Sequence, residues 1–300
     1  MRIYDRNKQS CEEDGQYGGA LLKKLYGTAG GRFLSVLVLH PAFSALCGVY
    51  YRSLLSRREI LPFIRRWHIA LPEYETARYR SFNDFFIRKI REEARPLRGE
   101  ADALISPADA KLRLFPIRRD GRLHIKGHEY TLRQLTGGVA LSGFEGGLCL
   151  VFRLSMDDYH RYCFPDDGVL LRKKRLRGRL HTVSDFSNEY RIYQENARLV
   201  SILKSRHFGE IIMVEVGALL VGSIVDHGIR RFWKGEEKGF FQLGGSTIVL
   251  LLKKNAAVLD KDILAFCGRE TEIRVRYRET IGRTAAAEAQ NAVRQSCCRD

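Results

Sequence analysis

Three short segments of this 300-residue chain set chemistry-bearing side chains beside tight backbone in otherwise apolar surroundings. They are SPADAK (106–111), DDYHRYCFPDDG (157–168) and KGEEKGFFQLGGST (234–247). In the first, Ser106-Pro107 holds the Asp109 carboxylate on a short rigid turn ahead of the run KLRLFPI, where a plain turn aspartate is equally at home. In the second, Asp158 and His160 flank Tyr159 just after LCLVFRL. An acid and an imidazole at the end of a buried element suit proton transfer, and they also suit capping or a structural hydrogen bond. In the third, Gly244-Gly245-Ser246-Thr247 joins FFQL to IVLLL, and glycines inside a strand mark a bulge or a close backbone approach.

Other chemistries find little support. No GxGxxG follows a strand and no GxxxxGK[ST] occurs, so the nucleotide cradles built on those patterns are not expected. His124 and His128 are four apart in strand-like sequence, a spacing that does not bring both imidazoles to one helical face, and no metal is expected. The basic run Arg172 to Arg179 lacks the interleaved aromatics that stack bases, so nucleic acid is not an expected partner. A solvated strand face or a lipid-phosphate contact fits it better. Seven cysteines without a CxxC pair give no disulfide framework. Residues 1–20 have no apolar core of a signal peptide.

The elements that must position these residues fall into two textures. Residues 81–95, SFNDFFIRKIREEAR, place Phe82, Phe85, Phe86 and Ile90 on one helical face, with Ser81 as N-cap and an end before Pro96. Beyond it come short apolar runs separated by glycine and charge: LHIKG, LCLVFRL, RLVSILK, IIMVEVGALLVGSIV, STIVLLLKK, and Ile273, Val275 and Tyr277 alternating with arginines. Those read as strands. Residues 283–300 read as a frayed helix or a disordered tail, with Cys297 and Cys298 as unreactive tail residues.

Upstream lies a different stretch. Between Arg32 and Arg52, nineteen residues carry no formal charge, but His40-Pro41 breaks them in the middle into halves too short to span a bilayer. Around them, residues 21–68 hold Lys23, Lys24, Arg32, Arg52, Arg57, Arg58, Arg65 and Arg66 against the single acid Glu59. Helices lying on an anionic membrane surface fit that pattern, with a core helix pair or a true span as alternatives. The whole chain has 51 Lys plus Arg against 35 Asp plus Glu, a net charge of +16 that favours anionic partners.

In this order and separation, the three segments resemble the phosphatidylserine decarboxylase proenzyme family. SFNDFFIRK, IKGHEYTLRQLTGG, VEVGALLVGSI and KGEEKGFFQLGGST all have family counterparts in the same order, and the likeness runs over about residues 80–282. The resemblance implies self-cleavage between Gly245 and Ser246, giving a β chain of 1–245 and an α chain of 246–300. The new N-terminal serine becomes a covalent pyruvoyl group, an electron sink analogous to pyridoxal phosphate. It also implies that Asp109 belongs to the self-cleavage network and that His160, with Asp158 nearby, assists decarboxylation and proton transfer. The better-known family pattern is D-Y-H-R-x-H, with the second histidine proposed as the base for self-cleavage. Here Cys163 stands at that position, and HRYC with GGST is similar to a clostridial-type branch. Either His160 serves both steps, or Cys163 participates, or Cys163 is a small buried residue.

The expected function is conversion of phosphatidylserine to phosphatidylethanolamine and CO2, at the cytoplasmic face of the cell membrane and peripherally attached. Alternatives are a pyruvoyl-dependent decarboxylase of another serine lipid or a free amino acid, and a catalytically silent membrane-binding relative. The expected fold is α+β: membrane-contacting helices over 1–95, then a β-rich, mostly antiparallel barrel- or sandwich-like catalytic domain over 96–300. The two chains should stay associated as a heterodimer, and family precedent makes further dimerisation an expectation.

Overall fold

The structure is a computed structural model, and it describes residues 2–13, 41–75, 78–125, 128–138, 143–178, 196–217, 224–244, 246–267, 269 and 271–287. Gly245, Lys23, Lys24, Arg32, Arg179, Cys297 and Cys298 lie outside the described residues, as do the first half of the uncharged stretch and the tail from 288.

The apolar runs form one sheet of ten strands. From edge to edge they are Arg231–Phe232, Gly168–Leu176, Arg198–Ser205, Glu210–Gly217, Ser246–Leu252, Leu148–Leu154, Ala110–Pro116, Glu272–Val275, Arg2–Asp5 and Ser10–Glu13. Every pairing is antiparallel except that of Arg2–Asp5 with Glu272–Val275. Ser246–Leu252 is central, and all seven of its residues are buried, which is why STIVLLL reads as a continuous apolar run and not an alternating one. A three-stranded sheet of Ile224–Asp226, Glu237–Phe241 and Arg161–Cys163 packs with it, and a second one joins Ala257–Leu259, Thr280–Thr284 and Ala103–Ile105. The body is β-rich and antiparallel as expected, but among the described residues it is an open sheet with smaller sheets, not a closed barrel.

Two differences from the sequence reading concern the first 95 residues. Residues 2–13 are a strand pair on the large sheet: Ile3 is buried, Asp5 pairs with Arg274 at 3.3 Å, and Arg6 holds Asp260, Asp262 and Glu279. Among the described residues the first helix is Pro41–Arg52, followed by a 3-10 turn Leu54–Glu59, Ile60–Trp67 and Phe82–Phe86. The helix expected to reach residue 95 ends at Phe86. Ser81 does cap it, its Oγ accepting from the Asp84 N–H at 3.1 Å. It stops because Arg88 is buried against the rings of Tyr74 and Phe85, at 4.3 and 4.7 Å, and because Ile90 bridges Tyr74 in extended backbone.

These helices share a small core, Ile60, Phe63, Phe82, Phe85 and Phe86, with Leu243 from the GGST segment and Met156 from the loop before His160. The Ser56 hydroxyl accepts from the Phe82 N–H at 2.9 Å and ties the 3-10 turn to the last helix. The helical segment is thus built onto the loops that carry the candidate site. No helix among the described residues is long and apolar enough to cross a membrane.

Candidate active site

Ser246 is the first residue of its strand, directly opposite Leu154 on one side and Gly217 on the other. It is fully buried, and its hydroxyl has no hydrogen-bond partner among the described residues. A buried hydroxyl without a partner is costly, on the order of 1–3 kcal/mol, so its retention calls for a chemical reason. Just upstream, Gly244 has φ 131°, a conformation that L side chains avoid, and the chain turns there into the strand. The intervening Gly245 lies outside the described residues.

His160 is the second buried group with an open valence. Its Nδ1 lies 2.9 Å from the Asp158 backbone carbonyl, an acceptor only, so Nδ1 carries the proton and Nε2 is left with its lone pair. Nε2 has no hydrogen-bond partner among the described residues. Burial pushes the imidazole down to about 3, with the Asp158 carbonyl and the backbone of Gly244 opposing. The imidazole is therefore neutral at physiological pH. The Phe86 ring covers it, centroids 4.1 Å apart, and the His160 carbonyl accepts from the Phe241 N–H at 2.9 Å, which anchors it to the strand leading into GGST.

Asp158 supports His160 through its backbone and not through its acid. The carboxylate turns to Lys111, at 2.6 and 2.8 Å, and accepts from the Ser155 N–H at 2.6 Å. Burial raises this carboxyl to about 6, with the Lys111 cation opposing. Lys111, Arg153 and Thr247 are opposed across three strands and share one face of the sheet, whereas Ser246 faces the other way. The loop 155–160 therefore wraps the end of the sheet, acid on one face and imidazole near the serine's segment.

Asp109 and Cys163 occupy a neighbouring cluster. The Asp109 carboxylate accepts from the Tyr277 N–H at 2.5 Å and pairs with Arg95 at 3.2 Å, so it clamps the chain just before Pro96 to the turn after Glu272–Val275. The Cys163 thiol sits 3.9 Å from the Ser106 carbonyl, in a cluster with Tyr74, Ile90, Ile105, Tyr159 and Tyr277. Its backbone N–H donates to Pro107 at 2.9 Å, which holds SPADAK and HRYC together. Burial pushes this thiol up to about 12, far from thiolate at neutral pH. A cavity of about 550 Å3 is lined by Tyr159 together with Lys89, Arg91, Glu92, Glu237 and Arg278.

The three segments are thus brought to one end of the sheet, with the Ser246 hydroxyl and His160 Nε2 among its buried unpartnered groups and the Thr247 hydroxyl another. Sequence reading missed Lys111 and Phe86 as part of this arrangement. Lysine inside the apolar run AKLRLF was a signal for the first; nothing local in SFNDFF singled out Phe86. Among the described residues no group of His, Cys, Asp or Glu is arranged to hold a metal ion. His124 and His128 lie in the two-stranded pairing of Arg122–Ile125 with His128–Thr131, opposite Glu129 and Ile125 respectively. The basic run 172–176 lies on the strand Gly168–Leu176, with Lys173 paired to Asp226 at 2.5 Å.

The chain is similar to known proteins along most of its length. The family model described as phosphatidylserine decarboxylase matches residues 82–283. A phosphatidylserine decarboxylase proenzyme 2 from Clostridium acetobutylicum is 45% identical over 95% of this chain and 99% of its own length. Phosphatidylserine decarboxylase proenzymes from Ruminiclostridium cellulolyticum and Clostridium novyi are 36% and 35% identical, each over 94% of this chain and 97% and 99% of their own lengths.

Proposed function

Since the chain belongs to the phosphatidylserine decarboxylase family and converts phosphatidylserine to phosphatidylethanolamine and CO2, we propose that it matures by cutting itself between Gly245 and Ser246 and works through a pyruvoyl group made from Ser246. The observation that carries this reading is the buried Ser246 hydroxyl with no partner, at the head of a central strand behind Gly244, whose backbone is close enough to act on the His160 imidazole. The name proenzyme, borne by the relatives, is in keeping with processing.

The residues present fit such a group. A serine side chain without a partner is free to be remade, and a water-excluded surround favours its chemistry. His160 Nε2 is the acceptor for the Ser246 Oγ proton, and its tautomer is fixed by the Asp158 carbonyl. Phe86 excludes water from that nitrogen. Once formed, the pyruvoyl group supplies the electron sink for loss of CO2 from the serine headgroup. His160 is placed to hold and return the proton that carbon then needs. The cavity beside Tyr159 offers both signs of charge to a headgroup that carries ammonium, carboxylate and phosphate. Asp109 is a positioning residue, acting through Tyr277 and Arg95.

The lipid substrate is reached from a membrane surface. Leu46, Val49, Leu54, Leu55 and Leu61 are exposed on the helical segment that packs on Leu243 and Phe86, and Arg52, Arg57, Arg58 and Arg65 are exposed among them. Apolar side chains interleaved with cations suit peripheral attachment to the anionic, cytoplasmic face of the cell membrane, and bring the site to its substrate.

Intact-mass spectrometry of denatured full-length protein beside Ser246→Ala tests the processing step. The expected result is two fragments in wild type, the smaller starting at position 246 and about 17 Da lighter than simple hydrolysis gives, and one uncut chain in the variant. A single unmodified wild-type chain would overturn the reading.

A further inference from the structure

A second buried acceptor shares the sheet face of Ser246. The strand Glu210–Gly217 runs beside Ser246–Leu252 with Gly217 opposite Ser246 and Glu215 opposite Ile248. Opposed residues of an antiparallel pair share a face, so Glu215 is the diagonal neighbour of Ser246, a spacing of about 7–8 Å between residues and somewhat less between Cβ atoms, within reach of a long side chain. Gly217 puts no side chain between them. Glu215 is fully buried; its Oε1 meets Lys238 Nζ at 2.6 Å, and its Oε2 has no hydrogen-bond partner among the described residues. Lys238, buried in turn, also meets Asp226 at 3.0 Å.

Stability gives this pair little reason to exist. A buried ion pair loses about as much in desolvation as it gains in attraction, and apolar replacements of equal volume are often neutral or better. The sequence around Glu215, IIMVEVG, is otherwise apolar, so the acid stands where a strand core would favour valine or leucine.

Maturation, on the reading above, takes two protons from Ser246. In the acyl shift the Oγ–H proton leaves, Oγ bonds to the Gly245 carbonyl carbon, the amide C–N bond breaks, and the Ser246 nitrogen ends with the proton. In the elimination the Cα–H proton leaves, its electron pair forms the Cα–Cβ double bond, and the Cβ–Oγ bond breaks as Gly245 departs as a carboxylate. Protonation of Cβ and addition of water then release ammonia and leave the keto group. His160 Nε2 accounts for the first proton, and one acceptor is left over.

We propose that Glu215 takes the Cα proton of Ser246 in the elimination and returns it to Cβ, with Lys238 as the positioning residue that keeps the carboxylate ionised. Burial raises the Glu215 carboxyl above the ordinary carboxylate range while the Lys238 cation opposes, which makes it a stronger base than a solvated glutamate.

The test compares full-length wild type, Glu215→Gln, and the double variant Glu215→Leu with Lys238→Met, which removes both charges and keeps the core filled. Each is followed by denaturing intact mass with and without hydroxylamine, and by thermal melting. The expected result is that the double variant melts as a folded protein, and that both variants accumulate an ester. Hydroxylamine splits that ester to a small chain with intact Ser246, and pyruvoyl formation is slowed about 100-fold or more. Pyruvoyl formation at the wild-type rate in the folded double variant would overturn the proposal. So would a folded double variant that stays uncut and resists hydroxylamine, because the glutamate would then act in the acyl shift. An uncut wild type would instead remove the self-processing reading on which this inference rests.

Discussion

Phe86 lies over His160 with ring centroids 4.1 Å apart, so a side chain from the helical segment forms one wall of the histidine's environment. The segment with exposed leucines and arginines and the site it serves are therefore one packed unit, joined through Phe82, Phe85, Phe86 and Leu243.

Cys163 is expected to be dispensable for maturation. Its thiol is buried against the Ser106 carbonyl and pushed up to about 12, so it is not a base at neutral pH. Cys163→Ala should cut itself within about twofold of the wild-type rate while losing about 1 kcal/mol of stability, as an ordinary buried truncation does. Time-resolved intact mass and urea unfolding check the two halves, and a variant that folds but never cuts would make the thiol a participant.

Lys111 is expected to be needed for folding because it answers the buried Asp158 carboxylate at 2.6 Å. Lys111→Met removes one partner and should cost about 3–5 kcal/mol, whereas adding Asp158→Asn removes the stranded charge and should recover most of it. Urea midpoints of the two variants decide this; equal losses in both would show that lysine packing, and not the charge pair, matters.

The acid limb of stability carries the mark of His160. Its folded value, about 3, lies below the ordinary 6.5, so the unfolded chain binds more protons between those values and stability is lost as pH falls through the window. Asp158, raised from 3.8 to about 6, acts with the opposite sign, its share of stability declining as pH rises from 3.8 to 6. Between pH 6.5 and 6 the histidine's effect is the larger of the two, and Asp158, half protonated near 6, offsets part of it. The urea midpoint of Ser246→Ala should fall there on acidification, and that slope should flatten when His160→Phe is added. A slope unchanged by the second substitution would place the titration elsewhere.

Membrane attachment is expected to need both components of the helical surface. Leu54 and Leu55 are 74% and 70% exposed, and Arg57 and Arg58 follow after Ser56. Co-sedimentation with vesicles containing phosphatidylserine should drop severalfold for Leu54→Ser with Leu55→Ser, and wild-type binding should weaken as salt rises. Binding that ignores both changes would put the membrane contact on another surface.

Much of this architecture was legible in the amino acids, because the strands that position the site are defined by their own apolar runs. LCLVFRL and STIVLLL became neighbours in the central sheet, and Ser81 capped its helix as its hydroxyl predicts. What escaped depends on partners distant in sequence. The strand Arg2–Asp5 is polar and short, and only pairing with Glu272–Val275 makes it a strand. The helix end at Phe86 is set by Arg88 finding Tyr74 and Phe85. Asp158 was read as an acid beside an imidazole; the tertiary contact with Lys111 drew its carboxylate to the other face and left its carbonyl for His160.

Two strands that follow position 246 are each enclosed by strands that precede it. Ser246–Leu252 runs between Glu210–Gly217 and Leu148–Leu154, and Glu272–Val275 between Ala110–Pro116 and Arg2–Asp5. Scission before Ser246 would turn a chain able to refold alone into two that must find each other again. Recovery from denaturation would become second order in concentration, so the mature protein's endurance would rest on how slowly it opens and not on an equilibrium it can return to.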